Sequence, residues 1–171
     1  MAAVATLAVI VLSQVVPRLT GAPTVSDPAT AALGKPAPAI TGQTLDGTPI
    51  SLDEFRGRPL IVNFWGPSCV PCRTEFPLFL QKLAARSDEQ LVIVGVLMDD
   101  PPEPARDFVA EMGATWQTVI DPDEAIQRAY RVLARPTSFF VDADGTVRAI
   151  QVGELTDRIF DLQFATIAPG S

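Results

Sequence analysis

Apolar positions along this chain recur with two periods, and the switches between them mark out the elements. Leu60 to Trp65 and Leu91 to Met98 are near-continuous apolar runs of strand length, the pattern of strands covered on both faces of a parallel sheet. Pro71 to Ala85 then takes up helical spacing. Cys72, Phe76, Phe79, Leu80 and Leu83 fall on one stripe that should pack on the sheet, with Pro77 inside it as an expected kink. Glu103 to Met112 predicts a second helix, with Phe108 and Met112 four residues apart and a stop at Gly113. Trp116 to Ile120 reads as a short strand. Asp121-Pro122-Asp123 opens a helix through Arg131, whose buried side is expected at Ile126, Ala129, Tyr130 and Leu133. Thr137 to Val141 and Val147 to Val152 read as antiparallel strands about the turn Asp142 to Gly145. Leu155 to Ile167 closes the chain as a helix, apolar at Ile159, Leu162 and Phe164 or Ala165.

Upstream, Leu45-Asp46-Gly47-Thr48 is a hairpin turn between short strand candidates within Ile40 to Ile50. Ser51-Leu52-Asp53-Glu54 is a capping box opening one helical turn through Phe55, and Arg56 to Pro59 breaks it. This order predicts an α/β fold, a central mixed β-sheet flanked by helices, with an N-terminal β-hairpin and a helix–strand pair between the central strands.

The N-terminus is different in kind. Ala2 to Val16 is apolar apart from Thr6, Ser13 and Gln14, and as a helix it spans only about 22 Å, less than a hydrocarbon core of ~30 Å. That length suits a signal segment, and Thr20-Gly21-Ala22 offers small residues for cleavage, but Pro23 disfavours cutting there. No Lys or Arg precedes the run, and Arg18 follows it. Residues 1–16 read as a membrane anchor or a signal segment, with the natural start expected upstream. Residues 17–33 read as a linker, in a stretch to Ala39 rich in Pro, Ala, Gly and Thr, and residues 34–171 as the domain.

The chemistry is concentrated where the first apolar run meets the first helix. Cys69 and Cys72 are the chain's two cysteines, spaced C-x-x-C, an arrangement that in a strand–helix setting points to dithiol redox chemistry. Ser68 is placed to cap the helix, so that Cys69 lies beside unpaired N–H groups at the positive end of the helix dipole. Such an environment lowers a thiol pKa from about 8.5 into the range of roughly 3.5–7.5. A purely structural disulfide closing so small a loop is worth only about 2 kcal/mol. Zinc needs four ligands, and the chain has no histidine. No metal and no cofactor is expected. Asp99, Asp100, Asp121 and Asp123 lack EF-hand spacing and read as turn and cap residues. The net charge of −7 for 171 residues argues against nucleic acid.

Val62 to Glu75 resembles the signature of the TlpA/ResA/CcmG group of extracytoplasmic thioredoxin-like thiol–disulfide oxidoreductases. Ala134-Arg135-Pro136-Thr137 to Asp142 resembles that group's cis-proline loop and the strand after it. The resemblance implies a thioredoxin-like fold, in which the helix–strand pair of Glu103 to Ile120 is the group's usual insertion, and exchange with protein disulfides through Cys69 and Cys72. It also implies an anchored domain outside the cytoplasm, which favours the anchor reading of residues 1–16 over a cleaved signal. It further implies a membrane thiol donor of the CcdA/DsbD type, and work on apocytochrome c during cytochrome c maturation. It also assigns a functional glutamate at Glu75, which lies three residues past Cys72 at the edge of the buried stripe. A partly desolvated carboxyl there would have a raised pKa and could take the Cys72 proton. Asn63 leaves the neighbouring strand position neutral, so Glu75 has no rival acid. In the group's order Pro136 is expected to be cis, holding the Arg135 backbone beside Cys69, where an extended substrate could add as a strand. Arg135 is either a solvated charge or a cation near Cys69 that favours acidic partners.

Two positions depart from the group, Ser68 where tryptophan is usual and Arg135 where a small or β-branched residue is usual. A thiol peroxidase is the alternative enzyme, but its P-x-x-x-T-x-x-C pattern meets Gly66 or Cys69 at the threonine position. A redox-inert binding module using a groove between Trp65 and Pro136 is the alternative from another class.

Overall fold

Five strands form the frame on which the cysteines sit. A computed structural model describes residues 28–168; the apolar N-terminal run lies outside them. The central sheet has the order β5-β4-β3-β6-β7, built from β3 (Leu60–Trp65), β4 (Val92–Leu97), β5 (Gln117–Ile120), β6 (Thr137–Val141) and β7 (Val147–Val152). Strands β3, β4 and β5 run parallel, while β6 and β7 are antiparallel, which makes the sheet mixed. A separate antiparallel hairpin, β1 (Thr41–Gln43) with β2 (Pro49–Ser51), precedes it. Ser51 then caps a 3₁₀ turn with both halves of the capping box formed.

Strand alternation sorts the side chains onto two cores. Ile61, Asn63 and Trp65 of β3 face one side, where α1 (Val70–Ala85), α2 (Pro102–Met112) and α4 (Asp157–Phe164) pack through Phe76, Phe79, Phe108, Phe160 and Phe164. Leu60, Val62 and Phe64 face the other side, covered by α3 (Ala125–Tyr130) with Ile126 and Tyr130 and by Ile40 and Ile50 of the hairpin region. Tyr130 pays for its burial with a hydrogen bond from its hydroxyl to Pro38 O at 2.8 Å.

Several expectations need correction. Ala29, within the 3₁₀ turn Pro28–Ala32, is buried, and Gly34 N–H bonds Val147 O at 2.8 Å, so the packed unit begins upstream of Gly34. The buried stripe of α1 is Cys72, Glu75, Phe76, Phe79 and Lys82, with Leu80 and Leu83 only partly covered. Lys82 is admitted because its ammonium meets Asp157 at 2.8 Å and Asp161 at 2.7 Å from α4. Helix α3 starts later than expected, with Asp121 accepting the N–H groups of Ile126 and Gln127. Ala129 and Leu133 are exposed, and Val132 takes the buried place. Helix α4 is shorter than expected and is anchored by Phe160 and Phe164, while Leu162 points outward.

Candidate active site

The residues of the candidate site come from three segments that meet at one end of the central strands: the β3–α1 turn, the chain after β4, and the loop before β6. Cys69 and Cys72 form a disulfide with Cα atoms 5.3 Å apart. Cys69 itself, not Ser68, is the N-cap of α1: its Sγ accepts the Cys72 N–H at 3.2 Å. The sulfur therefore occupies the place of a capping oxygen, against the positive end of a 16-residue helix. The two residues differ slightly in access: Cys69 keeps 7% of its surface exposed and Cys72 none.

Glu75 is not at the edge of the stripe but fully inside it, 1% exposed. One turn past Cys72, it meets Leu155, whose N–H donates to Oε1 at 2.6 Å. Asn63 of β3 lies on the sheet face toward α1, and its side chain, which also donates to Ser138 Oγ at 3.0 Å, approaches the same carboxyl. Burial dominates these contacts and pushes the Glu75 pKa from 4.5 up to about 8, with the Leu155 and Asn63 contacts opposing it and nearby Glu154 adding to it. Among the described residues, Oε2 of Glu75 and Oδ1 of Asn63 have no hydrogen-bond partner. A protonated carboxyl, which can donate, suits this acceptor-rich spot better than a carboxylate.

The Arg135–Pro136 peptide is cis. The loop around it is fixed at both ends, by Thr137 Oγ1 donating to Ala134 O at 2.8 Å and by Gly153 N–H donating to Pro136 O at 2.9 Å. Arg135 is not a solvated charge. Its guanidinium meets Asp100 Oδ2 and Ser68 Oγ, both at 2.8 Å, and Met98 O. Trp65 does not line a groove: it is fully buried, with ring centroids 4.8 Å from Phe76 and 5.3 Å from Phe108, and it supports the site from beneath. Two features go beyond the sequence expectation. Asp100 is more than a turn residue, and two adjacent aspartates closing a buried strand at its C-terminal end are a usable signal of this. Val70 and Leu133 remain 74% and 70% exposed, apolar groups beside the disulfide and the cis-proline loop.

This geometry has clear relatives. Residues 33–150 match the model of the AhpC/TSA family. The chain belongs to that family. Among its relatives, thiol-disulfide oxidoreductase ResA of Geobacillus kaustophilus is 30% identical over 81% of this chain and 79% of its own length. The thioredoxin domain of a thiol-disulfide oxidoreductase from Bacteroides vulgatus superposes with a TM-score of 0.71 at 29% identity, over 80% of this chain and 98% of that one. A secreted Mycobacterium tuberculosis disulfide oxidoreductase homologous to E. coli DsbE gives a TM-score of 0.66 at 26% identity, over 74% and 94%. The fold is thus thioredoxin-like, and within the AhpC/TSA family the chain is similar to ResA and to other thiol–disulfide oxidoreductases.

Proposed function

We propose that the protein is a thiol–disulfide oxidoreductase that reduces disulfides of proteins outside the cytoplasm. The observation carrying this reading is the unequal pair at the start of α1: Cys69 caps the helix through its sulfur and keeps some surface exposed, while Cys72 keeps none. In the reduced protein the Cys69 thiolate attacks a substrate disulfide. That S–S bond breaks, a mixed disulfide forms, and the departing substrate thiolate takes a proton from solvent. Cys72 then gives its proton to ionised Glu75 and attacks Cys69, releasing the second substrate thiolate and closing Cys69–Cys72. Two electrons pass to the substrate. With its pKa near 8, Glu75 is ionised in about one molecule in ten at pH 7, which suits a group that must both accept and return a proton.

Substrate would lie along the Arg135–Pro136 loop, flanked by Val70 and Leu133, with Trp65 acting only as support. Reduction is favoured over oxidation because Val70-Pro71 keeps the proline found in reducing thioredoxins. Among the described residues no helix is long and apolar enough to cross a membrane, so anchoring would rest with residues 1–16, tied to the domain by residues 17–33. The secreted M. tuberculosis relative supports a site of action outside the cytoplasm. A membrane donor of the CcdA/DsbD type would return electrons, and apocytochrome c is the proposed substrate. The test is covalent capture: C72S should hold a disulfide-bonded protein substrate and C69S should hold none. Capture by C69S in place of C72S would overturn the assignment.

A further inference from the structure

Ser68 and Arg135, far apart in sequence, meet at one carboxylate. Asp100 Oδ2 accepts the Ser68 N–H at 3.1 Å, the Ser68 hydroxyl at 3.0 Å and Arg135 Nη1 at 2.8 Å, while Arg135 Nη2 donates to the same Ser68 Oγ at 2.8 Å. Ser68 Oγ thus donates once and accepts once, and every bond in the cluster has a matched donor and acceptor. Both charged side chains are largely withdrawn from water, at 18% exposure for Arg135 and 12% for Asp100. Asp99 adopts a left-handed backbone (φ 57°) just before Asp100, at the bend that leaves β4. Gly66 completes the fit: a Cβ there would collide with Arg135 Nη1 and Asp100 Oδ2. The pair therefore occupies the space that a side chain at position 66 would take.

We propose that Asp100 and Arg135 form a charge-cancelling clamp on the turn that presents Cys69, with Asp100 as a positioning residue that sets the potential at the sulfur. This rests on the reading of Cys69 as the attacking thiol and says how its reactivity is set. The residue next to Cys69 is held by both an anion and a cation. Removing the anion leaves the Arg135 guanidinium uncompensated, which stabilises the thiolate. Removing the cation leaves a carboxylate bound to the amide just before the thiol, which opposes it. The contribution of the α1 N-terminus is the same in both cases. A more stable thiolate makes the disulfide more oxidising, so Asp100 holds the protein toward reduction by keeping Arg135 from over-stabilising Cys69.

The experiment is the pH dependence of iodoacetamide alkylation of the reduced protein, with the modified cysteine identified by peptide mass, for wild type, D100N, R135Q and D100N/R135Q. At a fixed pH below the Cys69 pKa, the thiolate fraction should rise about threefold or more in D100N, fall by a similar factor in R135Q, and return to within about twofold of wild type in the double variant. A staple with no electrostatic role would leave the two single variants unshifted or shifted in the same direction, and either result overturns the proposal. If D100N does not fold, R135K and R135Q decide: R135K should keep the wild-type titration and R135Q should raise it, and equal titrations overturn the clamp. Alkylation of Cys72 instead of Cys69 throughout would sink the functional reading itself. Labelling of Cys69 with one unchanging titration would sink the clamp alone.

Discussion

Glu75 shows how one residue couples stability to chemistry. Its carboxyl has moved from an ordinary 4.5 to about 8 because it lies in a core and not in water. Below pH 4.5 it is protonated whether the chain is folded or unfolded, and its contribution to stability is fully present. As pH rises from 4.5 toward 8 the unfolded chain ionises while the native one does not, and that contribution is lost, leaving a plateau above 8. Glu75→Gln should remove this dependence, so that urea denaturation finds the variant's stability relative to wild type rising between those pH values, by on the order of 4–5 kcal/mol at most. A difference independent of pH would mean that the carboxyl titrates normally. The same variant should slow closure of Cys69–Cys72 from the mixed disulfide by about 100-fold, read by rapid mixing. The sequence brought Glu75 into view through its spacing from Cys72. It did not reveal the Leu155 amide 80 residues away that receives the carboxyl, because a contact of that range leaves no trace in local pattern.

At the scale of elements, the strand–helix order, the hairpin, the Ser51 capping box and the Gly113 stop were legible because each depends on neighbours a few residues apart. The polar content of buried faces does not show in such local signals. Lys82 sits inside α1's stripe with charge partners supplied by α4, and Arg86 follows it onto Asp161 at 2.8 Å and over the Phe164 ring at 4.1 Å. Periodicity alone gives such positions to leucine. Asp161→Asn should cost about 1–3 kcal/mol in chemical denaturation, since it removes a partner from both cations. Lys82→Met, which fills the same space without a charge to satisfy, should cost less. The centre of the sheet is equally tight. A Cβ on Gly95 of β4 would come 2.7 Å from Trp65 Nε1 and 2.5 Å from Thr118 Oγ1, so Gly95→Ala should destabilise by about 1–3 kcal/mol through overpacking. An unchanged denaturation midpoint would mean that Trp65 has room to move.

At the scale of the molecule, the sheet gathers chemistry at one end of its central strands and leaves exposed apolar groups there. Val70 and Leu133 are exposed near a disulfide of which only Cys69 keeps any surface accessible, which fits a substrate that arrives as a protein surface and not as a small thiol. Replacing both with serine should raise KM for a protein disulfide about tenfold while leaving reduction of a small aromatic disulfide unchanged. Equal losses on both substrates would place these residues in the chemistry and not in docking. The resemblance read from Val62 to Glu75 and from Ala134 to Asp142 carried the fold and the redox pair. The Ser68–Asp100–Arg135 cluster was visible there only as two unexplained departures, since the carboxylate joining them lies 32 residues from one and 35 from the other. Each proposed role in the site follows from Cys69 as the attacking thiol. The most direct test of that role is alkylation of the fully reduced protein across pH, with each cysteine followed separately by mass. The prediction is modification of Cys69 alone near neutrality, with an apparent pKa below the free-thiol value of about 8.5; equal labelling of both cysteines, or a Cys69 that titrates at or above that value, would contradict it.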